Sequence, residues 1–386
     1  MDALTPASAE RTKDDSATAV LMLFIEPAPY IVAFVDAARR AWPGRIDVLY
    51  AATQISQDWG FDGHGESEMV LSPIRRRAMA EIKRRLSSGQ YGLVHLAGWG
   101  HPLLWRTILY AARRMPVTVQ TDTPPPHEEA FWKRVAKKVA YRALFRLPAL
   151  FTPAGTPQAA YLHSFGVPPS RIRMAQLTVD VAAIQTYCNG FTLDRRAKGR
   201  SRFHLGNEDL AILYVGRLEP HKGIDDLLAA FTTLTGKLPN ARLLIAGDGS
   251  LRGRVIAAAA EMPAIHYLGR LADEALWEAY SIADFFVLPS RFEPWGLVVN
   301  EAMAAGLPVV VTDRVGCGPD LVRHGVTGLV VPAASVTALG KALETLCAEV
   351  DRRAHMGSRA RQLISQWTLA DQARNTTAAW RQALAR

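Results

Sequence analysis

The chain contains no apolar run approaching the ~20 residues that a membrane-spanning helix needs. Its first residues, Met1 to Ala17, are polar and carry Asp14 and Asp15, without the charged-then-apolar order of a secretory signal. These residues read as a loose tail of a cytoplasmic protein. Cysteine is scarce: Cys188, Cys317 and Cys347 stand far apart. That spacing excludes a CxxC metal site and a disulfide framework, and fits a reducing compartment. The G-x-G-x-x-G fingerprint of dinucleotide folds is missing. Ala246-Gly247-Asp248-Gly249 comes nearest, but Arg252 stands where the third glycine belongs, and the opening turn Glu26-Pro27-Ala28-Pro29 has no glycine at all. No helix-turn-helix, zinc finger or aromatic RNA-binding motif is present, so nucleic acid is not the expected partner. No internal repeat appears beyond a coarse doubling. Acidic residues are in deficit: 36 Asp and Glu oppose 45 Lys and Arg, a formal net charge of +9. An excess of that size suggests an anionic partner, such as a phosphorylated ligand or a membrane surface.

What the sequence does have is a core. At 386 residues with 49% apolar and 21% charged content, it is long enough for two globular domains. Short β-branched runs alternate with helical segments. Ala19–Ile25, Ile46–Ala52, Gly92–Ala97 and Val117–Gln120 read as strands of a first series, with helices at Ile31–Ala41 and Pro102–Arg114. A second series holds strands at Ala211–Val215, Ala241–Ala246, Ile265–Tyr267, Phe285–Leu288, Val309–Thr312 and Leu329–Val331. Such alternation predicts parallel βαβ units. Between the series, 189–208 includes Asp194–Arg202, DRRAKGRSR, whose charge suits a solvated linker. The expected organisation is a doubly wound domain over 1–188, a linker over 189–208, a second doubly wound domain over 209–368, and a final helix over 369–386 that crosses back to the first. Two such domains leave a ligand cleft at the carboxyl ends of their strands.

Val215-Gly216-Arg217-Leu218 ends the first strand of the second series, and Lys222-Gly223 precedes the next helix. A glycine there lets the backbone approach a ligand; Arg217 and Lys222 can grip phosphate oxygens. Taken alone, the pair fits a plain surface turn as well. The richest stretch is Leu288 to Gly306. Pro294 and Gly296 force an irregular loop, and a helix then starts near Leu297. Glu293 lies on the loop and Glu301 eight positions later on the helix. The amides of Gly296, Leu297 and Val298 are available to an anion, and carboxylates accept hydrogen bonds from sugar hydroxyls.

This segment resembles the E-x7-E region of retaining glycosyltransferases of family 4. The similarity extends in order through Gly216-Arg217-Leu218…Lys222-Gly223, Ala246-Gly247-Asp248-Gly249, Tyr267-Leu268-Gly269-Arg270, Gly306-Leu307-Pro308-Val309-Val310, Gly316…Asp320-Leu321-Val322 and Gly325-Val326-Thr327-Gly328-Leu329, covering about residues 210–332. The resemblance implies the GT-B fold, two Rossmann-like doubly wound domains facing across a cleft, and a retaining transfer of sugar from a UDP- or GDP-sugar to a saccharide or lipid-linked acceptor. It implies that Arg217 and Lys222 neutralise the donor diphosphate and that Glu293 contacts the transferred sugar. Glu301 would bind the ribose hydroxyls, Gly216, Gly296, Leu297 and Val298 would hold phosphate or sugar, and Arg270 and Leu271 would border the base. Neither metal nor cofactor is expected. The alternatives kept open are a sugar-nucleotide hydrolase, epimerase or sugar phosphate synthase of the same fold, and an idle membrane-binding sensor of sugar nucleotides. The family usually has Gly-Gly in its first turn; this chain has Glu26 to Tyr30 there.

The acceptor half offers His95, Trp99, His101 and Asp122 at strand ends as cleft candidates, against a core His95, a packing Trp99 and a turn-capping Asp122. Phe131 to Pro148, FWKRVAKKVAYRALFRLP, carries six basic residues and no acidic one. Lys133, Arg134, Lys137, Lys138 and Arg142 lie on a basic side; Trp132, Val135, Val139 and Phe145 fall near the other. That pattern suits an anionic membrane surface and adds a peripheral place on the inner face of the cell membrane. Polysaccharide or envelope glycan synthesis is the pathway this combination suggests.

Overall fold

The computed structural model describes residues 18–52, 67–125 and 131–386; the expected tail over 1–17 lies outside them, as do the side chains of Phe131, Lys133 and Arg134. Twelve parallel strands form two sheets among these residues. The first contains β1 (Ala19–Phe24), β2 (Ile46–Tyr50), β3 (Glu68–Val70), β4 (Tyr91–Ala97), β5 (Val117–Thr121) and β6 (Leu150–Pro153), in the order β3-β2-β1-β4-β5-β6. The second contains β7 (Leu210–Val215), β8 (Ala241–Ala246), β9 (Ile265–Gly269), β10 (Phe285–Leu288), β11 (Val309–Thr312) and β12 (Gly328–Val331), in the order β12-β11-β10-β7-β8-β9. The topologies are the same: the first strand is central, the next two extend one way and the last three the other. Continuous apolar runs such as AVLMLF in β1 and FFVL in β10 are buried at every residue, as parallel strands covered on both faces must be. β3 and β6 have three and four residues, too few to show a period in the sequence.

The segment expected to be a solvated linker is folded. Leu193–Arg202 is a helix whose N-cap, Thr192, accepts from Arg195 N at 3.2 Å. Its basic residues satisfy the C-terminal carbonyls of the helix Asp273–Ile282. Arg200, 4% exposed, donates to Ile282 O at 3.0 Å and Gly206 O at 3.0 Å. Arg196 donates to Ala283 O at 3.3 Å and Asp284 Oδ1 at 3.0 Å. Helix ends leave carbonyls without partners, and cations there oppose the dipole's negative end. The charge run is an internal cap for the second domain.

The chain crosses between sheets twice, at residues 176–181 and 367–369. Trp367 Nε1 donates to Leu177 O at 3.0 Å, and Thr178 Oγ1 to Trp367 O at 2.8 Å, so the crossings are stitched together. The last helix, Leu369–Leu384, starts from a Thr368/Asp371 capping box. It returns to the first domain, where Ala379, Trp380 and Ala383 join the core formed by β1, β2 and the helix Pro29–Ala41.

Candidate functional site

In each sheet the strand order reverses beside the central strand, between β1 and β4 and between β7 and β10. Loops at such switch points splay apart and open a crevice. The two crevices face one another, and the loops line a cavity of about 280 Å3 with Tyr30 after β1, Asp122 after β5, Arg217 and Lys222 after β7, and Glu293 and Gly296 after β10. Arg217, Lys222, Glu293, Gly296 and Leu297, far apart in the sequence, are thereby assembled on one wall.

Lys222 and Glu293 form a buried ion pair, Nζ to Oε2, each 8% exposed. Gly223, at φ 71°, lets the chain turn from Lys222 into the helix Ile224–Thr235; a Cβ there would come within 2.1 Å of Pro289 O. Arg291 N donates to His221 O at 2.8 Å, and the Arg291 guanidinium grips Asp226 with both arms at 2.8 and 2.7 Å. On the other side, Glu293 N donates to Arg314 O at 3.1 Å and Gly316 N to Glu293 O at 2.9 Å. The carboxylate loop is therefore tied to both neighbours. Lys222 carries three N–H donors, and one engages Glu293. The pair presents positive charge to an anion and acceptor oxygens to hydroxyls from one place.

Gly296, at φ 97°, is the N-cap of the helix Leu297–Ala304 and lends it no side-chain cap. The first amides of a helix have no partner within it and point outward with the dipole's positive end. Leu297 is at the cavity wall, so these amides open towards Arg217 and Lys222. On the same helix Glu301 accepts from Tyr280 Oη at 2.8 Å. Burial pushes its carboxyl up to about 7, although the tyrosine hydrogen bond pulls it down. Glu301 thus lies off the cavity, one turn further along the helix that Leu297 starts. Beyond Arg217, three strand-end turns sit side by side. Leu218 N donates to Asp248 O at 2.8 Å and Gly247 N to Gly269 O at 2.8 Å. Glu219 accepts from Ser250 N and Oγ at 3.1 and 2.6 Å. Arg270 and Leu271 continue from the last of these turns, with Arg270 exposed.

Of the acceptor-side candidates only Asp122 reaches the cavity; enclosure raises its carboxyl above the usual range, and the Glu293 charge adds to that. His95 is a core residue. Its Nδ1 lies 2.8 Å from Thr118 Oγ1 and accepts from Trp380 Nε1 at 3.2 Å, while Nε2 faces Gln120 Oε1 at 3.4 Å. Burial lowers its pKa to about 4, so it stays neutral. Trp99 is buried edge-on against Phe145, with ring centroids 4.6 Å apart, and offers no face to a sugar. His101 caps the helix Pro102–Ala111 by accepting from Leu103 N at 3.3 Å. Tyr30, His221 and Phe292 line the cavity without having been singled out. Tyr30 opens the helix Pro29–Ala41 just past the glycine-free turn and His221 is beside Lys222, so position, not type, was the available signal. Burial, then the Lys222 and Arg217 charges, lower the His221 pKa, against the raising charges of Glu293 and Glu219.

Residues 196–363 match the family described as glycosyl transferases group 1. The chain is 32% identical over 252 residues to a D-inositol 3-phosphate glycosyltransferase of Mycobacterium sp. (strain KMS), a match covering 63% of this chain and 53% of that protein. It thus spans about half the length of that curated relative. It is 25% identical over 327 residues to the alpha-D-kanosaminyltransferase of Streptomyces kanamyceticus, covering 82% of both. Among solved structures, the Anabaena HepE protein in complex with UDP superposes with a TM-score of 0.76 at 18% identity, over 94% of this chain and 100% of that one. That likeness shows the fold, GT-B.

Proposed function

We propose, from the premise that residues 196–363 belong to the glycosyl transferases group 1 family and that the chain has the GT-B fold, that it moves a sugar from a nucleoside-diphosphate donor to an acceptor hydroxyl with retention of anomeric configuration. The observation that carries this reading is the buried Lys222–Glu293 pair between the Arg217 side chain and the Leu297 helix start. Breaking the anomeric bond puts negative charge on the departing diphosphate and positive charge on the sugar. Fixed cations and helix amides aimed at the first stabilise that transition state. Arg217 and Lys222 take the diphosphate, the Glu293 carboxylate faces the sugar, and Glu301 accepts from the ribose. Tyr30 and Asp122 stand across the cavity, on the acceptor side. The acceptor oxygen then attacks from the face the diphosphate leaves, and a diphosphate oxygen takes its proton. The protein groups meet the diphosphate charge themselves, so transfer is expected to persist in a chelator.

The test is a thermal-shift panel of UDP- and GDP-linked sugars beside free UDP, GDP and NAD. A ligand that binds only the folded state raises the melting temperature by mass action. One sugar nucleotide is expected to shift it and NAD is not. Lys222→Ala and Glu301→Ala are expected to weaken donor binding or turnover ~10-fold, the scale of a lost charge-assisted contact. Unchanged kinetics in both would overturn the site assignment.

For the acceptor we propose a saccharide or lipid-linked glycan, presented at an anionic membrane surface during polysaccharide or envelope glycan synthesis. Among the described residues no helix is long and apolar enough to cross a membrane. The support lies in the helix Phe131–Leu144. It faces the protein through Tyr141, packed with Trp99 and Phe165. Trp132, Val135 and Val139, opposite the basic side in the sequence pattern, are 66%, 45% and 69% exposed, and Lys138 and Arg142 are exposed with them. An apolar strip edged by cations is the chemistry of a helix lying on an acidic lipid surface. Val135→Ser with Val139→Ser should weaken sedimentation with vesicles containing phosphatidylglycerol several-fold while leaving donor binding unchanged. Equal sedimentation of variant and parent would remove the membrane assignment.

A further inference from the structure

Gln158 lies in the first turn of the helix Thr156–Ser164 and is wholly buried. Its Nε2 donates to Pro294 O at 2.7 Å and to Asp122 O at 3.3 Å. One amide therefore joins the residue after Glu293, on the donor loop, to Asp122, the carboxylate across the cavity. The orientation of the group is fixed by its surroundings. Its Oε1 has no partner, and a flipped amide would set that oxygen against two carbonyl oxygens. Two residues earlier, Thr156 N and Oγ1 donate to the two oxygens of Asp320 at 2.9 and 2.5 Å. The fit has no slack: a Cβ on Gly316 would lie 1.9 Å from Pro294 O and 3.0 Å from Gln158 Nε2, and one on Gly155 would lie 2.4 Å from Asp320 Oδ2. Neither Thr156 nor Gln158 lines the cavity, so ligand contact does not explain the arrangement.

We propose that Gln158 is a positioning residue that locks the donor loop to the acceptor loop, fixing the separation at which sugar and acceptor hydroxyl meet. The proposal rests on the transferase reading above. A primary amide can satisfy two carbonyls at once. An ångström of misplacement between reacting groups costs orders of magnitude in rate, whereas the side chains of Arg217, Lys222 and Glu293, on which donor affinity rests, receive no bond from Gln158.

The experiment compares wild type with Gln158→Met, which keeps length and loses both donors, and with Thr156→Ala as a second variant should the first fail to fold. Donor dissociation constants are measured with UDP-glucose and GDP-mannose. Transfer to octyl β-D-glucopyranoside is resolved into kcat and KM, and small-angle scattering is recorded on the same samples. Expected are a donor affinity within about twofold of wild type, a kcat for transfer lowered ~10- to 100-fold, and a larger radius of gyration. An unchanged kcat with unchanged scattering overturns the proposal. So does a parallel loss of donor affinity, kcat and melting temperature, which would make Gln158 merely structural. If wild type binds neither donor, the transferase reading is in question; the scattering comparison then decides by itself whether Gln158 holds the domains.

Discussion

At the residue scale, Glu301 has the sharpest electrostatic consequence. Its carboxyl is raised to about 7 by burial, so in the empty site it is partly protonated near neutral pH. Ribose hydroxyls donate to the ionised form and would lower its pKa. Donor binding should then release a proton. Affinity is expected to rise with pH up to about 7 and to flatten above it, and calorimetry in buffers of different ionisation enthalpy should detect the released proton. Glu301→Gln is expected to bind more weakly and to lose the pH dependence; a wild-type affinity that is flat between pH 5.5 and 8 would contradict the assignment. The E-x7-E spacing singled out Glu301 but not its raised pKa, because the burial that raises it comes from packing against other elements. His95 shows the opposite limit. Near the carboxyl end of its strand it had the position of a cleft residue, and packing among Thr118, Gln120 and Trp380, the last 285 positions away, makes it core.

At the scale of elements, the segment 193–202 shows how charge misleads. Five basic residues on a short stretch read as solvated, yet Arg200 is nearly sealed from water because a helix C-terminus lies over it. Arg200→Met would leave the carbonyls of Ile282, Gly206 and Asp209 short of a donor. A loss of about 3 kcal/mol is expected in denaturant unfolding of the second domain, as for buried groups left unsatisfied. Arg195→Met, whose guanidinium stacks over Tyr187 and Phe191 at an exposed site, should cost much less. Equal effects would undo the capping account. The helix Phe131–Leu144 is the converse case, with apolar side chains left in solvent. Its amphipathic period was visible, but which side meets the protein was set by Trp99 and Phe165, which the period does not reveal.

At the scale of the whole molecule, the last helix makes the first domain depend on the end of the chain. Trp380 is fully buried between Trp42 and His95, with both ring centroids 5.5 Å away. Trp380→Ala is expected to destabilise the protein by about 3–5 kcal/mol, the cost of emptying a large aromatic site. The donor loops belong to the other sheet, so donor affinity should stay within about twofold while the first domain unfolds earlier. A matching loss of donor affinity would show that the domains do not respond separately.

The sequence by itself determined the alternation of buried strands and helices, hence two doubly wound sheets, because short apolar runs separated by helical stretches suit parallel strands covered on both faces. It also singled out one wall of the cavity, since Gly216-Arg217, Lys222-Gly223 and the loop from Glu293 to Gly296 are local patterns with local geometry. The tertiary structure alone decided what faces that wall. Asp122 was a cleft candidate from its strand end, but Tyr30 joins it at the cavity, and Gln158 reaches the loops behind it, through the packing of one domain on the other; no period or spacing encodes a contact between residues 136 positions apart, as Gln158 and Pro294 are.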